Sequence, residues 1–146
     1  MKGLTGIGHV AIRVKDVART LEFYTGRLGF AEIPRLHRDD GRLWLIYLRI
    51  TDDQFLEIFP DAVGERAPPR EANGLNHVCL TVEDLDRIVD QLAGRGVPLT
   101  QGKKVGADGN LQAWIEDPDG NRIELMQMAP DSLQLEAIRR LSGSSR

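Results

Sequence analysis

Three observations predict an α+β fold of two tandem βαβββ modules that share a curved mixed sheet. The first is an internal repeat. Shifted by 68 positions, GHVAIRVKDVARTLEFYTGR (8–27) falls on NHVCLTVEDLDRIVDQLAGR (76–95), with seven identities in twenty ungapped positions. The second is the change of apolar period inside each copy, from the alternation of a strand to the spacing of a helix. The third is a turn between two apolar runs late in each copy. Thr51-Asp52-Asp53-Gln54 supplies it in the first copy, and Asp117-Pro118-Asp119-Gly120 in the second.

The opening strands place Val10, Ile12 and Val14 on one face, and His9, Ala11 and Arg13 on the other. In the second copy Val78, Leu80 and Val82 oppose His77, Cys79 and Thr81. Asp16 and Asp84 stand where an N-cap belongs, because a short carboxylate can accept from the unpaired N–H groups of a first helical turn. Val17, Thr20, Leu21, Tyr24 and Leu28 then follow at helical spacing, as do Leu85, Ile88, Val89 and Leu92. Gly29 and Gly96 lie just past the expected helix ends.

Strands are expected over Ala31–Leu36, Leu43–Ile50 and Phe55–Phe59, then over Leu99–Lys104, Leu111–Glu116 and Arg122–Met128. The organisation is a first module over 1–60, a linker over 61–73 rich in Pro, charge and small residues, and a second module over 74–128. A C-terminal helix and tail fill 129–146. Asp131 caps that helix, Leu133, Leu135, Ile138 and Leu141 form its apolar side, and Ser142–Arg146 fray.

Composition narrows the function. A chain of 146 residues, 41% hydrophobic and 28% charged, suits one compact globular domain. A net charge of −3 lacks the basic excess of a nucleic-acid binder. No apolar run approaches the ~20 residues of a membrane span. The start, MKGLTGIGHVAI, has no signal-peptide core, and a single cysteine, Cys79, excludes an intrachain disulfide. A cytoplasmic protein is expected, with neither nucleic acid nor membrane as partner.

The chemistry rests on His9, Glu57, His77 and Glu124. With one residue deleted, QFLEIF (54–59) falls on NRIELM (121–126), so Glu57 meets Glu124 as His9 meets His77. Strand alternation puts Leu56 and Ile58 toward the helices, and Phe55, Glu57 and Phe59 away from them. Ile123 and Leu125 likewise oppose Arg122, Glu124 and Met126. All four candidate ligands therefore project from the non-helix face, which becomes a concave trough if the modules pair side by side. Imidazole and carboxylate suit one divalent ion, whether Ni, Co, Zn, Mn or Fe, and four ligands leave a position for water or substrate. Phe55 and Phe59 flank Glu57 as pocket wall. Arg122, on the face of Glu124, joins them as a substrate-binding candidate. Trp44, Tyr47 and Trp114 are assigned to core packing, Cys79 to a small buried hydrophobe, and His37 to a solvated charged stretch.

The motifs GHVAIRV (8–14), DVARTLEFYTGRLGF (16–30), NHVCLTV (76–82) and EDPDGNRIEL (116–125) resemble the vicinal oxygen chelate superfamily of glyoxalases, bleomycin resistance proteins and dioxygenases over residues 4–128. The ligand set is most similar to that of small bacterial glyoxalase I. The resemblance implies a lyase or isomerase that stabilises an enediolate on a divalent metal, with Glu57 or Glu124 as acid and base. It also implies a homodimer and a small-molecule substrate such as a glutathione hemithioacetal. Arg13 matches a glutathione-contacting Arg of glyoxalase I. Against glutathione, Pro60-Asp61 replaces an Asn often found after the first Glu, and Gly106-Ala107-Asp108-Gly109 stands where a basic residue is expected, with Lys103 and Lys104 earlier. A metal-dependent epimerase of an acyl-CoA or another oxygenated small molecule is the alternative. An extradiol-type dioxygenase and a non-catalytic binding protein stand behind it.

Overall fold

A computed structural model describes residues 3–143. The elements run β1 (His9–Arg13), α1 (Val17–Leu21), a π-helical segment (Glu22–Arg27), β2 (Ala31–His37), β3 (Leu43–Arg49) and β4 (Phe55–Phe59). They continue with β5 (Val78–Thr81), α2 (Leu85–Gly94), β6 (Gln101–Val105), β7 (Leu111–Glu116), β8 (Arg122–Gln127) and α3 (Leu133–Gly143). The βαβββ order thus occurs twice. Each module builds its own four-stranded mixed sheet, in the orders β1-β4-β3-β2 and β5-β8-β7-β6. The chain divides into two compact units. One holds residues up to Pro69 together with Asp117–Asn121, and the other holds Arg70–Glu116 with Arg122 onward.

In the first unit β4 is central, parallel to β1 and antiparallel to β3. Its helix-side residues Leu56 and Ile58 are buried beside Ile46 and Leu48 of β3 and Ile12 of β1. Asp16 caps α1 through Arg19 N–H to its Oδ1 at 3.0 Å. The helix does not run on as a regular α-helix. From Glu22 it widens into a π-turn closed by Leu28 N–H to the Phe23 carbonyl at 3.0 Å. The extra residue in that turn accompanies the burial of two adjacent aromatics, Phe23 and Tyr24, packed edge to face at 5.1 Å. Apolar spacing alone marked only Tyr24. Gly29 ends the segment at φ 81°.

The Tyr24 hydroxyl donates to Asp117 Oδ2 at 3.0 Å. Asp117 also accepts from Asn121 Nδ2 and N–H, both at 2.8 Å, and from Asp119 N–H at 3.0 Å. Burial still holds its carboxyl above the ordinary value, against those lowering donors. Lys15 N–H to Asp119 Oδ2 at 2.9 Å and Ala67 N–H to the Asp119 carbonyl at 2.7 Å complete this tie.

In the second unit β8 is central, parallel to β5 and antiparallel to β7. Ile123 and Leu125 are buried and pair across the sheet with Ile115 and Ala113, and Leu85 and Leu92 of α2 are buried as well. Asp84 caps α2 as expected, through Arg87 N–H at 3.0 Å, and the Gln127 side chain accepts the Leu85 N–H at 2.8 Å. The final helix differs at its start. Asp131 lies in the preceding turn, and Ser132 holds the capping position, its carbonyl accepting from Glu136 N–H at 3.0 Å. α3 extends through Gly143, so Ser142 is helical, while residues 144–146 of the expected frayed tail lie outside the described residues. The outer strands β2 and β6 are exposed along their whole length. Among the described residues no helix is long and apolar enough to cross a membrane.

Candidate functional site

The non-helix face of each sheet carries a histidine beside a carboxylate. In the first unit the β1–β4–β3 register sets Ala11, Glu57 and Tyr47 in one row across the sheet. Glu57 is only 6% exposed. Its Oε2 lies 3.6 Å from His9 Nε2, and the His9 side chain is half exposed. The Tyr47 hydroxyl donates to Glu57. That hydrogen bond is the first cause of a phenol held above its ordinary pKa, followed by desolvation and the carboxylate charge. Tyr47 also meets Phe55 edge to face at 6.5 Å. Phe55 and Phe59 are half-buried on either side of Glu57. Arg13 lies over the Phe59 ring at 5.5 Å, and its Nη1 donates to the Pro60 carbonyl at 2.7 Å.

The second unit repeats the row as Cys79, Glu124 and Trp114. Glu124 Oε2 lies 3.1 Å from His77 Nε2. The Trp114 ring meets His77 edge to face at 4.8 Å and donates its indole N–H to Gln112 at 2.9 Å. Arg122 donates from its Nη2 to the Asn76 carbonyl.

Four assignments to the interior change here. Cys79 is exposed rather than a buried hydrophobe, because strand alternation points it to the face of Glu124. Its thiol is nonetheless pushed up to about 12, first by desolvation, then by the Glu124 charge and a hydrogen bond to that carboxylate. Trp44 is 41% exposed and packs under the Arg38 guanidinium at 5.8 Å. Tyr47 and Trp114 stand opposite the two carboxylates. Only strand pairing reveals that, and the sequence supplies alternation but not register. Asn76 was missed altogether. Its one signal is a break in the repeat, where Gly8 precedes His9 but Asn76 precedes His77.

Each pair matches what a divalent transition metal takes, an imidazole nitrogen and a carboxylate oxygen held together on a β-sheet face. Two buried carboxylates that among the described residues pair with histidine and with no Lys or Arg have the electrostatics of cation ligands. The donors occur in twos: among the described residues no group of three or more His, Cys, Asp or Glu side chains is gathered closely enough to hold an ion.

This chain is similar to known proteins over most of its length. Residues 6–125 match the model of the Glyoxalase/Bleomycin resistance protein/Dioxygenase superfamily. A lactoylglutathione lyase of Pseudomonas aeruginosa is 31% identical over 150 residues, covering 82% of this chain and 80% of its own. The crystal structure of a glyoxalase family protein from Enterococcus faecalis is 29% identical with a TM-score of 0.73, covering 83% of this chain and 96% of its own. An antibiotic binding protein from a Streptomyces species is 25% identical with a TM-score of 0.68, covering 88% of this chain and 100% of its own. The repeated βαβββ architecture and the family match together place this chain in the Glyoxalase/Bleomycin resistance protein/Dioxygenase superfamily.

Proposed function

We propose that this chain is a metal-dependent lyase or isomerase of the glyoxalase I type. His9 and Glu57 supply one pair of metal ligands, and His77 and Glu124 the other. The observation that carries this reading is the repeated pairing of a carboxylate at most 9% exposed with an imidazole Nε2, at 3.6 and 3.1 Å, with no Lys or Arg ion pair to either carboxylate among the described residues. A divalent ion bound there supplies positive charge to the oxygens of a substrate that is losing a proton from carbon.

The chain's own residues do the rest. Glu57 or Glu124 takes the proton from the substrate carbon and returns it to a neighbouring position, as general base and then general acid. Phe55 and Phe59 wall the Glu57 side and exclude water. The protein works as a cytoplasmic homodimer on a small oxygenated molecule, a glutathione hemithioacetal in the first instance.

An epimerase or isomerase acting on a different oxygenated molecule is favoured by one observation. Arg13, the match to a glutathione-contacting residue, is already engaged by the Pro60 carbonyl and the Phe59 ring. The test is metal stoichiometry on protein purified without chelator, beside Glu57→Ala. About one divalent ion per chain, lost in the variant, supports the four-ligand site. Turnover of hemithioacetals against acyl-CoA esters then separates the two substrates. A protein that binds none of Ni, Co, Zn or Mn sinks the catalytic reading and favours a non-catalytic small-molecule binding protein.

A further inference from the structure

Both ring nitrogens of His77 face oxygen atoms. Nε2 lies 3.1 Å from Glu124 Oε2, and Nδ1 lies 3.0 Å from Asn76 Oδ1. The orientation of the Asn76 amide is fixed independently, because its Nδ2 donates to the Arg70 carbonyl at 2.8 Å. The amide oxygen must therefore be the atom turned to His77, and it can only accept. Asn76 is held a third time by Arg122, whose guanidinium donates to its backbone carbonyl. The Trp114 ring restrains the imidazole plane from the side.

A neutral imidazole has one N–H. If Nδ1 donates it to Asn76, Nε2 presents a bare lone pair toward a carboxylate. Two lone pairs 3.1 Å apart repel unless a cation stands with them. We infer that Asn76 is a positioning residue that fixes His77 in the Nδ1–H tautomer and so turns Nε2, beside Glu124, into a metal-binding donor. The inference rests on the metal reading above and adds to it an asymmetry. His9 follows Gly8, which has no side chain to play this part, and the His9 side chain is half exposed. The His77–Glu124 pair is thus the pre-organised half of the ligand set, and His9–Glu57 the adaptable half.

Outer partners of ligating histidines typically affect metal affinity by about 10–100-fold. Two measurements test the assignment on the full chain. Long-range 1H–15N correlation spectra of the protein loaded with diamagnetic Zn(II), taken near pH 8.5 where an ordinary imidazole is neutral, report the tautomer of His77. Titration with Co(II), followed by its visible absorption, reports affinity. The expected result is an Nδ1–H tautomer in the wild type and a shift toward Nε2–H in Asn76→Ala, with Co(II) binding weakened about 10–100-fold. Asn76→Asp, which keeps an acceptor at the same place, retains the wild-type tautomer and most of the affinity. Wild-type protein that binds Co(II) with His77 in the Nε2–H form, or an Asn76→Ala variant of unchanged affinity, overturns the role of Asn76 alone. Wild-type protein that binds no Co(II) overturns the metal reading, and the role of Asn76 with it.

Discussion

At the residue scale the two carboxylates differ in what they hold. Glu57 accepts a phenol from Tyr47, and Glu124 accepts a thiol from Cys79. The thiol gives a direct readout. With its pKa pushed up to about 12, only about one thiol in ten thousand is ionised at pH 8, against about a quarter for an ordinary cysteine. Alkylation of Cys79 by iodoacetamide at pH 8 should therefore run far more slowly than that of an unstructured thiol, and should keep rising with pH through 10. Glu124→Gln removes the charge and the carboxylate acceptor, two of the causes, while leaving desolvation in place. That variant should react faster at every pH below the wild-type pKa. Equal rates in the two proteins would mean that Cys79 and Glu124 do not meet.

At the element scale, Asp117 organises a turn. Each of its oxygens accepts two hydrogen bonds: Oδ1 from the N–H groups of Asp119 and Asn121, and Oδ2 from Tyr24 and the Asn121 amide. An asparagine in its place must turn an NH2 toward one of these donor pairs, whichever way it lies. Asp117→Asn should lower stability at pH 7 by about 1–3 kcal/mol in urea denaturation. The pH dependence has a definite sign. Burial raises the folded pKa of Asp117, so the folded state takes up a proton before the unfolded state does as pH falls. The unfavourable ionisation is fully present above the raised folded value and is relieved below the ordinary one. The gap between wild type and variant should widen from pH 7 to pH 4, and a narrowing gap would refute the shift.

The two helix caps belong to the same scale. Asp16 and Asp84 each accept an N–H at 3.0 Å, and replacing either by Ala should cost about 1 kcal/mol. A loss from only one of them would show that the second helix start is held by other contacts. These caps, the strands Phe55–Phe59 and Leu111–Glu116, and the Gly29 and Gly96 stops were legible in the sequence, because each depends on a few adjacent residues. The π-turn at Glu22–Arg27 and the Tyr24–Asp117 bond were not. One depends on how two neighbouring aromatics pack, and the other joins residues 93 positions apart. Likewise the His and Glu pairs were readable from the repeat, whereas Asn76 required the course of the chain around Arg70 to be known.

At the scale of the whole molecule, a buried carboxylate kept without a cationic side chain trades stability for function. Without metal, each carboxylate is buried beside an imidazole with no Lys or Arg ion pair among the described residues, so Glu57→Gln and Glu124→Gln should melt at or slightly above the wild-type temperature. With metal the order should reverse. An ion present at 100 times its Kd adds about 2.7 kcal/mol, which for a chain of 146 residues is roughly 8 °C at roughly 3 °C per kcal/mol. Each Gln variant should forfeit most of that gain, because each removes one anionic donor from the proposed four-ligand set. Differential scanning of the three proteins with and without Ni(II) measures both effects. A gain that survives loss of one carboxylate but not the other would mean that a single His–Glu pair carries the ion. The repeat would then have preserved the shape of the second pair without its task.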